Sequence, residues 1–275
     1  MNKEDVKKIV REGYTKVAKQ ESSCCGPAKS CCGGGDGYAE KVSKNIGYSD
    51  EEINAVPEGA NLGLGCGNPV ALASLKEGET VLDLGSGAGF DCFLAAKKVG
   101  PRGRVIGVDM TPEMLEKARA NAAKGGYTNV EFRLGEIESL PVADNSVDVI
   151  ISNCVINLSP DKAKVFREAF RALKPCGKMM VSDIVLLKEL PAAVKKSVEA
   201  YIGCLSGAMM KDDYLRTIKA AGFSDVKTIE ETTFPVEFMA NDPSAKEIMK
   251  KVNLSFEFLK GLAKSAVSLK VSAVK

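Results

Sequence analysis

The chain has no histidine among its 275 residues, which removes the commonest general base and the commonest zinc ligand together. Whatever chemistry it performs proceeds without imidazole. It also lacks an excess of either charge: 38 Lys and Arg face 36 Asp and Glu, a formal net charge of +2. No broad basic field exists to hold a polyanion by counterion release, so nucleic acid is not an expected partner. No apolar run reaches the roughly 20 residues needed to span a bilayer. The opening MNKEDVKKIVREGY is of mixed charge and has no secretion-signal character. A cytoplasmic protein with no membrane partner is the expectation, with a monomer as the default state. What the chain does have is nine cysteines. An odd number in such a chain does not suit a framework of paired structural disulfides; thiols used for binding or chemistry suit it better. With 45% hydrophobic residues, the length fits one catalytic domain plus a smaller attached unit.

Residues 3–19 read as a short charged helix. After it, SSCCGPAKSCCGGGDG (22–37) is too rich in Gly, Cys and Ser to be regular and reads as a flexible cysteine-bearing arm. Ser49, with Glu52 three residues on, forms a capping signature for a helix running to Asn54. The loop NLGLGCGNP, carrying Cys66, then leads into a βαβ alternation. Strands are expected at 80–84, 104–109, 130–134, 147–153 and 177–186, with helices at 90–99, 112–124 and 161–173. This is an α/β, doubly wound parallel sheet. Beyond it come helices near 192–204 and 211–221, and a strand in DVKTIEETTF. The final stretch, 244–270, reads as a helix packed on the domain with a solvated lysine-rich face. The domain division expected is 1–60 for the first helix and arm, 61–230 for the catalytic domain and 231–275 for a C-terminal α/β extension.

In VLDLGSGAGFD, Gly85, Gly87 and Gly89 stand directly after a strand and before a helix, where backbone N–H groups can approach a ligand. Dinucleotide folds use G-x-G-x-x-G and seat a pyrophosphate on the helix. Here Asp83 precedes the turn; its charge repels a pyrophosphate and suits an ammonium group. Asp109, ending the second strand, is placed to accept both hydroxyls of a ribose. Gly135-Glu136-Ile137, after the third strand, places Glu136 where it can accept from an adenine amino group. The motifs DLGSGAG, VDMTPEML, GEIESLP and VDVIISN resemble, in order, those of class I S-adenosylmethionine methyltransferases over about residues 61–230. The resemblance implies a Rossmann-like seven-stranded sheet whose last two strands form an antiparallel hairpin. It implies S-adenosyl-L-methionine as cofactor, contacts from Asp83, Gly85 and Gly87 to its methionine end, and Met110 beside the adenine, with Ile137 and Asn153 in the same site. No metal cofactor is expected.

In an open α/β sheet the chemistry lies beyond the carboxyl ends of the strands, and the fourth strand ends at Ser152, Asn153 and Cys154. A thiol beside a methyl donor points to a soft electrophile. Trivalent arsenic prefers thiolates to oxygen or imidazole and keeps a lone pair that attacks a sulfonium methyl without losing a proton. The CC pairs, GCGNP, SNCVINL and YIGCLSGA together resemble arsenite methyltransferases up to about residue 230. Carried over, the resemblance makes Cys66, Cys154 and Cys204 the arsenic ligands. It has one arm cysteine pair with Cys66 in a disulfide that thioredoxin or glutathione reopens. The choice among Cys24, Cys25, Cys31 and Cys32 stays open, with Cys31 and Cys32 carried as candidate catalytic residues. The substrate is then arsenite or its thiol conjugate.

Plainer readings stand beside these. Cys154 and Cys204 can be small core residues, the four arm thiols can form a zinc knuckle, and Cys92 and Cys176 read as structural. A small-molecule C- or O-methyltransferase, or a thiol-based metalloid-binding redox module, is the alternative function.

Overall fold

Five apolar runs bounded by glycines and charged turns form the parallel part of the sheet. The computed structural model describes residues 2–20, 38–190, 207–233 and 265–275. Strands β1 (Thr80–Leu84), β2 (Arg104–Asp109), β3 (Val130–Leu134) and β4 (Val147–Asn153) stand where the apolar runs placed them. Strand β5 (Leu173–Leu186) starts four residues before its expected first residue, Gly177. Leu173 pairs with Val147 ahead of a register shift, and Lys178 then pairs with Val149. Strand β6 (Ser224–Thr233) fulfils the DVKTIEETTF expectation.

The seventh strand corrects the reading of the C-terminal stretch. Residues 266–270, expected in a helix, open strand β7 (Ala266–Val274). The sheet order is β3-β2-β1-β4-β5-β7-β6. Strand β7 runs antiparallel to both β5 and β6, so it alone opposes the other six. The antiparallel final pair is present as expected, but its inner member comes from beyond the boundary drawn at residue 230. A helix reading fails here because β7 is covered on both faces. Val267, Leu269, Val271 and Ala273 are buried, and so are Ala266, Ser268 and Lys270, so the polar residues that alternate along β7 do not mark a solvent face.

The helices are α1 (Lys3–Gln20), α2 (Tyr38–Asn45), α3 (Asp50–Asn54), α4 (Pro69–Leu72), α5 (Phe90–Val99), α6 (Pro112–Lys124), α7 (Lys162–Ala172) and α8 (Lys211–Ala220). The α3 capping box is formed on both sides: Glu52 N–H donates to Ser49 Oγ at 3.2 Å and Ser49 N–H to Glu52 Oε2 at 3.0 Å. Such a cap is worth about 1 kcal/mol. Helices α2 and α4 were not foreseen; α4 is a single turn capped by Asn68 with proline at its start.

Alternation along the strands divides the core into two layers. On one face Leu82, Leu84, Ile106 and Ile150 pack with Val165 and Phe166 of α7 and Tyr214 of α8. On the other, Val81, Val105, Val149 and Ile151 pack with Phe93 of α5 and Leu115 of α6. A third cluster gathers Val6 and Val10 of α1 with Cys66, Cys154, Ile184 and Ala266. Helix α1 is thereby held over the carboxyl ends of the strands, with Lys3 paired to Asp161 at 2.8 Å and Lys19 to Glu113 at 3.2 Å. Among the described residues no helix is long and apolar enough to cross a membrane. The arm at 22–37, the helix expected near 192–204 and residues 244–264 of the final stretch lie outside the described residues, and with them Cys24, Cys25, Cys31, Cys32 and Cys204.

Candidate active site

The strand order reverses between β1 and β4, because β1 pairs with β2 on one side and β4 on the other. A parallel sheet opens a crevice at that point. The cleft there is about 1080 Å³, its open mouth included, and is lined by Asp83, Gly85, Ser86, Gly87, Asp109, Met110, Ile137, Asn153 and Cys154 among others. The glycine turn that follows β1 is pinned to β2 by Gly85 N–H and Ser86 N–H, which donate to the Val108 carbonyl at 2.8 and 3.0 Å. Gly85 and Gly87 have φ of 69° and 51°, which an L side chain rarely adopts. A Cβ on Gly85 would stand 2.4 Å from Val155 Cγ2, whereas one on Gly87 would enter open space. Ser86 Oγ is buried in this turn without a partner.

Asp109 is fixed by backbone donors on both oxygens, Gly87 N–H at 3.0 Å and Thr111 N–H at 2.8 Å. Burial nevertheless raises its pKa above the ordinary carboxylate value, against the pull of those hydrogen bonds. Asp83 is buried and accepts the Cys92 thiol at 3.2 Å. Burial first, then the neighbouring charge of Asp91, pushes the Asp83 carboxyl far up. The same burial and the Asp83 charge push the Cys92 thiol up, keeping it a protonated donor. Asp91, on the first turn of α5, accepts Tyr48 Oη–H at 2.6 Å and Asn153 Nδ2–H at 3.1 Å, and burial raises it to about 6. Among the described residues no Lys or Arg forms an ion pair with Asp83, Asp91 or Asp109. Two buried carboxyls, Asp83 and Asp91, and the half-buried Asp109, all without a cation, make the cleft a receptor for positive charge and for hydroxyl donors.

Beside the cleft, Cys66 Sγ, Cys154 Sγ and an Asp183 carboxylate oxygen all lie within 4.8 Å of one another, and all three residues are buried. The carbonyl of Ser182 joins the two cysteines, accepting Cys66 Sγ–H at 3.4 Å and Cys154 N–H at 2.8 Å. Cys154 has φ of 59°, a left-handed conformation that costs a non-glycine residue about 1 kcal/mol or more and that gathers at functional sites. Glycines flank Cys66 because the loop is pressed on both sides: a Cβ on Gly65 would lie 2.6 Å from Asn153 Nδ2, and one on Gly67 would lie 2.0 Å from Ser182 Oγ. Ser268 of β7 donates to the Cys66 carbonyl at 2.6 Å. Asp183 is raised to about 7 by burial, opposed by the charge of Lys162 and by hydrogen bonds from Ile184 N–H at 3.1 Å and Tyr214 Oη–H at 3.3 Å.

The structure therefore brings Asp83, Gly85, Gly87, Asp109, Met110, Ile137, Asn153 and Cys154 to one cleft, with Cys66 behind it. Glu136 is not among the residues that line the cleft. Its carboxylate is paired with Lys7 at 2.6 Å and Arg11 at 3.7 Å of α1, while its neighbours Gly135, Ile137 and Glu138 line the cleft. Asn153 lines the cleft and also braces the thiol loop, its Oδ1 accepting Cys66 N–H at 2.9 Å. Tyr48, Asp91, Asp183 and Tyr214 were missed. The sequence signal for Asp183 is a lone carboxylate inside an otherwise apolar central strand, a placement that burial alone makes costly. Cys92 is fully buried, in agreement with its structural reading, and Cys176 is exposed in the opening part of β5, with φ of 64°.

Residues 75–222 match the family described as "Methyltransferase domain". The chain is 49% identical over 231 residues to an arsenite methyltransferase of Halobacterium salinarum, covering 82% of this chain and 59% of the relative. It is 34% identical over 233 residues to the arsenite methyltransferase of Rattus norvegicus, covering 80% and 59%. The chain thus spans 59% of the length of both relatives. Among solved structures it resembles CrArsM, an arsenic (III) S-adenosylmethionine methyltransferase from Chlamydomonas reinhardtii. The TM-score is 0.60 at 34% identity, over 86% of this chain and 72% of that one. The family match extends over more than half of the chain, and the solved relative matches most of both lengths; the chain belongs to the S-adenosylmethionine-dependent methyltransferases, in the arsenite methyltransferase family.

Proposed function

We propose that this chain methylates trivalent arsenic held by Cys66, Cys154 and Cys204, with S-adenosylmethionine as the donor. The observation that carries the reading is the buried meeting of the Cys66 and Cys154 sulfurs within 4.8 Å, at the edge of a cleft lined by Cys154 itself. Soft thiolates in a dry site match a soft trivalent centre. The cleft fits the donor: Asp83 and Asp91 are buried carboxyls whose ionised form an ammonium favours, Asp109 is fixed for ribose hydroxyls, Ser86 Oγ awaits a partner, and Gly87 opens on empty space. Met110 and Ile137 flank the adenine, with Glu136 at the rim, bridged to α1 by Lys7.

When bound, S-adenosylmethionine supplies an electrophilic methyl group that an arsenic lone pair takes up with no proton to remove. The protein's own work is to hold arsenic on sulfur, aim it from the end of β4 and exclude water, which is why a chain without histidine suffices. Methylation carries arsenic formally from the trivalent to the pentavalent state. An arm cysteine, Cys31 or Cys32, loses its proton and attacks the Cys66 sulfur; the S–S bond forms as the Cys66–arsenic bond breaks and its electron pair returns to arsenic, restoring the trivalent state, and thioredoxin or glutathione reduces the disulfide. In this reading the enzyme acts as a cytoplasmic monomer on arsenite or its thiol conjugate.

The test is transfer of labelled methyl from S-adenosylmethionine to arsenite in the presence of a thiol reductant, comparing wild type with Cys154→Ser. Cys154→Ser should reduce turnover by about 100-fold or more while the cofactor still binds. Turnover in the variant equal to wild type refutes the thiolate site, and absence of arsenite turnover in wild type with cofactor bound points to an organic acceptor.

A further inference from the structure

Asn153 ends β4 with its amide between the cleft and the thiol loop. Its Nδ2 lies 3.1 Å from Asp91 Oδ2, 2.9 Å from Tyr48 Oη and 2.8 Å from the Gly67 carbonyl, while its Oδ1 accepts Cys66 N–H at 2.9 Å. Asp91 also takes the Tyr48 hydroxyl at 2.6 Å. One side-chain amide thus has donors on a carboxylate of the cofactor cleft and its acceptor on the backbone of Cys66. Two N–H protons serve three acceptors, so the strength of each acceptor sets the orientation of the amide. Asp91 is the acceptor that a ligand changes. It is buried without an ion-pair partner among the described residues, and an arriving ammonium favours its ionised form and alters its hold on Tyr48 and Asn153.

We infer that Asn153, acting with Asp91 and Tyr48, couples occupancy of the ammonium subsite to the position of the Cys66 thiol. The thiol loop is then set when the methyl donor is in place. By reciprocity, fixing Cys66 tightens donor binding by the same factor. Asn153 and Tyr48 are positioning residues in this scheme. Its consequence for arsenic capture rests on the proposed role of Cys66 as a ligand, but the coupling itself does not.

Cys66 is not among the residues lining the cleft, so a bound nucleoside does not shield its sulfur directly. The experiment is the rate of Cys66 alkylation by iodoacetamide, followed by peptide mass spectrometry on the full chain. It is run alone, with saturating S-adenosylhomocysteine, and with adenosine, which lacks the ammonium. In wild type S-adenosylhomocysteine should change the rate by about fivefold or more, the lower end of ordinary coupling energies, and adenosine should not. In Asn153→Asp and Tyr48→Phe the ratio should fall to about one at saturating S-adenosylhomocysteine, with the circular dichroism of wild type. If Asn153→Asp does not fold, Tyr48→Phe, which removes a single hydroxyl, decides. The inference is overturned if wild type shows no ratio, if adenosine reproduces the effect, or if the variants bind S-adenosylhomocysteine and keep the wild-type ratio. No arsenic enters this assay, so failure of arsenite methylation and failure of the coupling are separate results.

Discussion

Gly67→Ala places one methyl group where the thiol loop crosses β5. An ideal Cβ there lies 2.0 Å from Ser182 Oγ, 2.8 Å from Ser182 Cβ and 3.1 Å from Lys270 Cε. The hydroxyl can rotate away, but the Ser182 Cβ belongs to the central part of a buried strand and cannot. The loop therefore has to lift by roughly half an ångström to one ångström to restore ordinary contact, at a cost of about 1–3 kcal/mol for overpacking. Cys66 is the preceding residue, and its N–H and carbonyl are held by Asn153 and Ser268, so the displacement falls on its sulfur. A misplacement of about 1 Å costs about 100-fold in rate, and we expect kcat for arsenite methylation to fall about 10- to 100-fold. Gly67 does not line the cleft, so S-adenosylhomocysteine should still bind by calorimetry. The double variant Gly67→Ala/Ser182→Gly removes both short contacts and should recover most of the loss, a non-additivity that a double-mutant cycle measures. Wild-type kcat in Gly67→Ala, or no recovery in the double variant, would refute the steric reasoning.

Two further outcomes follow from the buried carboxylates. Asp91 is raised to about 6 by burial, and an ammonium needs the ionised form, so lowering the pH from 7 to 5 should weaken S-adenosylhomocysteine binding about tenfold. Calorimetry across that range checks this, and Asp91→Asn should be flat; an unchanged wild-type affinity at pH 5 contradicts the assignment. Asp183 is raised to about 7 by burial, so the folded state holds its proton more tightly than the unfolded chain. Its stabilising contribution is present below the ordinary carboxylate pKa and is lost as pH rises from about 4 through 7. Asp183→Asn should remove on the order of 2–3 kcal/mol of the stability decline between pH 5 and 8. Urea titrations of the cofactor-free protein measure it, and a decline as steep as wild type counts against a neutral Asp183 at low pH.

The first four strands were legible to the residue because each is a short run with a glycine or charged turn at its ends; β1, β2 and β4 are apolar and buried on both faces, whereas β3, at the end of the strand order, alternates buried Phe132 with charged neighbours. The same double burial hid β7, whose serines and Lys270 break the apolar run while a lysine-rich stretch precedes it. At the site, local spacing sufficed for Asp83, the glycine turn and Asp109, since one strand-turn-helix unit and its neighbour carry them. Tyr48 and Asp183 were not legible, because what gives them meaning is long-range. Tyr48 meets Asp91 across 43 positions and Asp183 meets Tyr214 across 31. Glu136 shows the converse: its location after β3 was foreseen, but the sequence gives no sign that Lys7, 129 residues away, takes its carboxylate.

Strand β7 lies between β5 and β6 and, among the described residues, is the only sheet neighbour of β6. During synthesis the five parallel strands can assemble as soon as residue 186 has emerged, whereas β6 must wait for a partner made about 40 residues after it. The same late strand carries Ser268, which holds the Cys66 carbonyl, and Ala266, which packs in the cluster with Cys66 and Cys154. The order of translation therefore delays assembly of the thiol pair until the rest of the sheet exists, and any cut that removes the last strand severs the thiol loop and the sheet edge together.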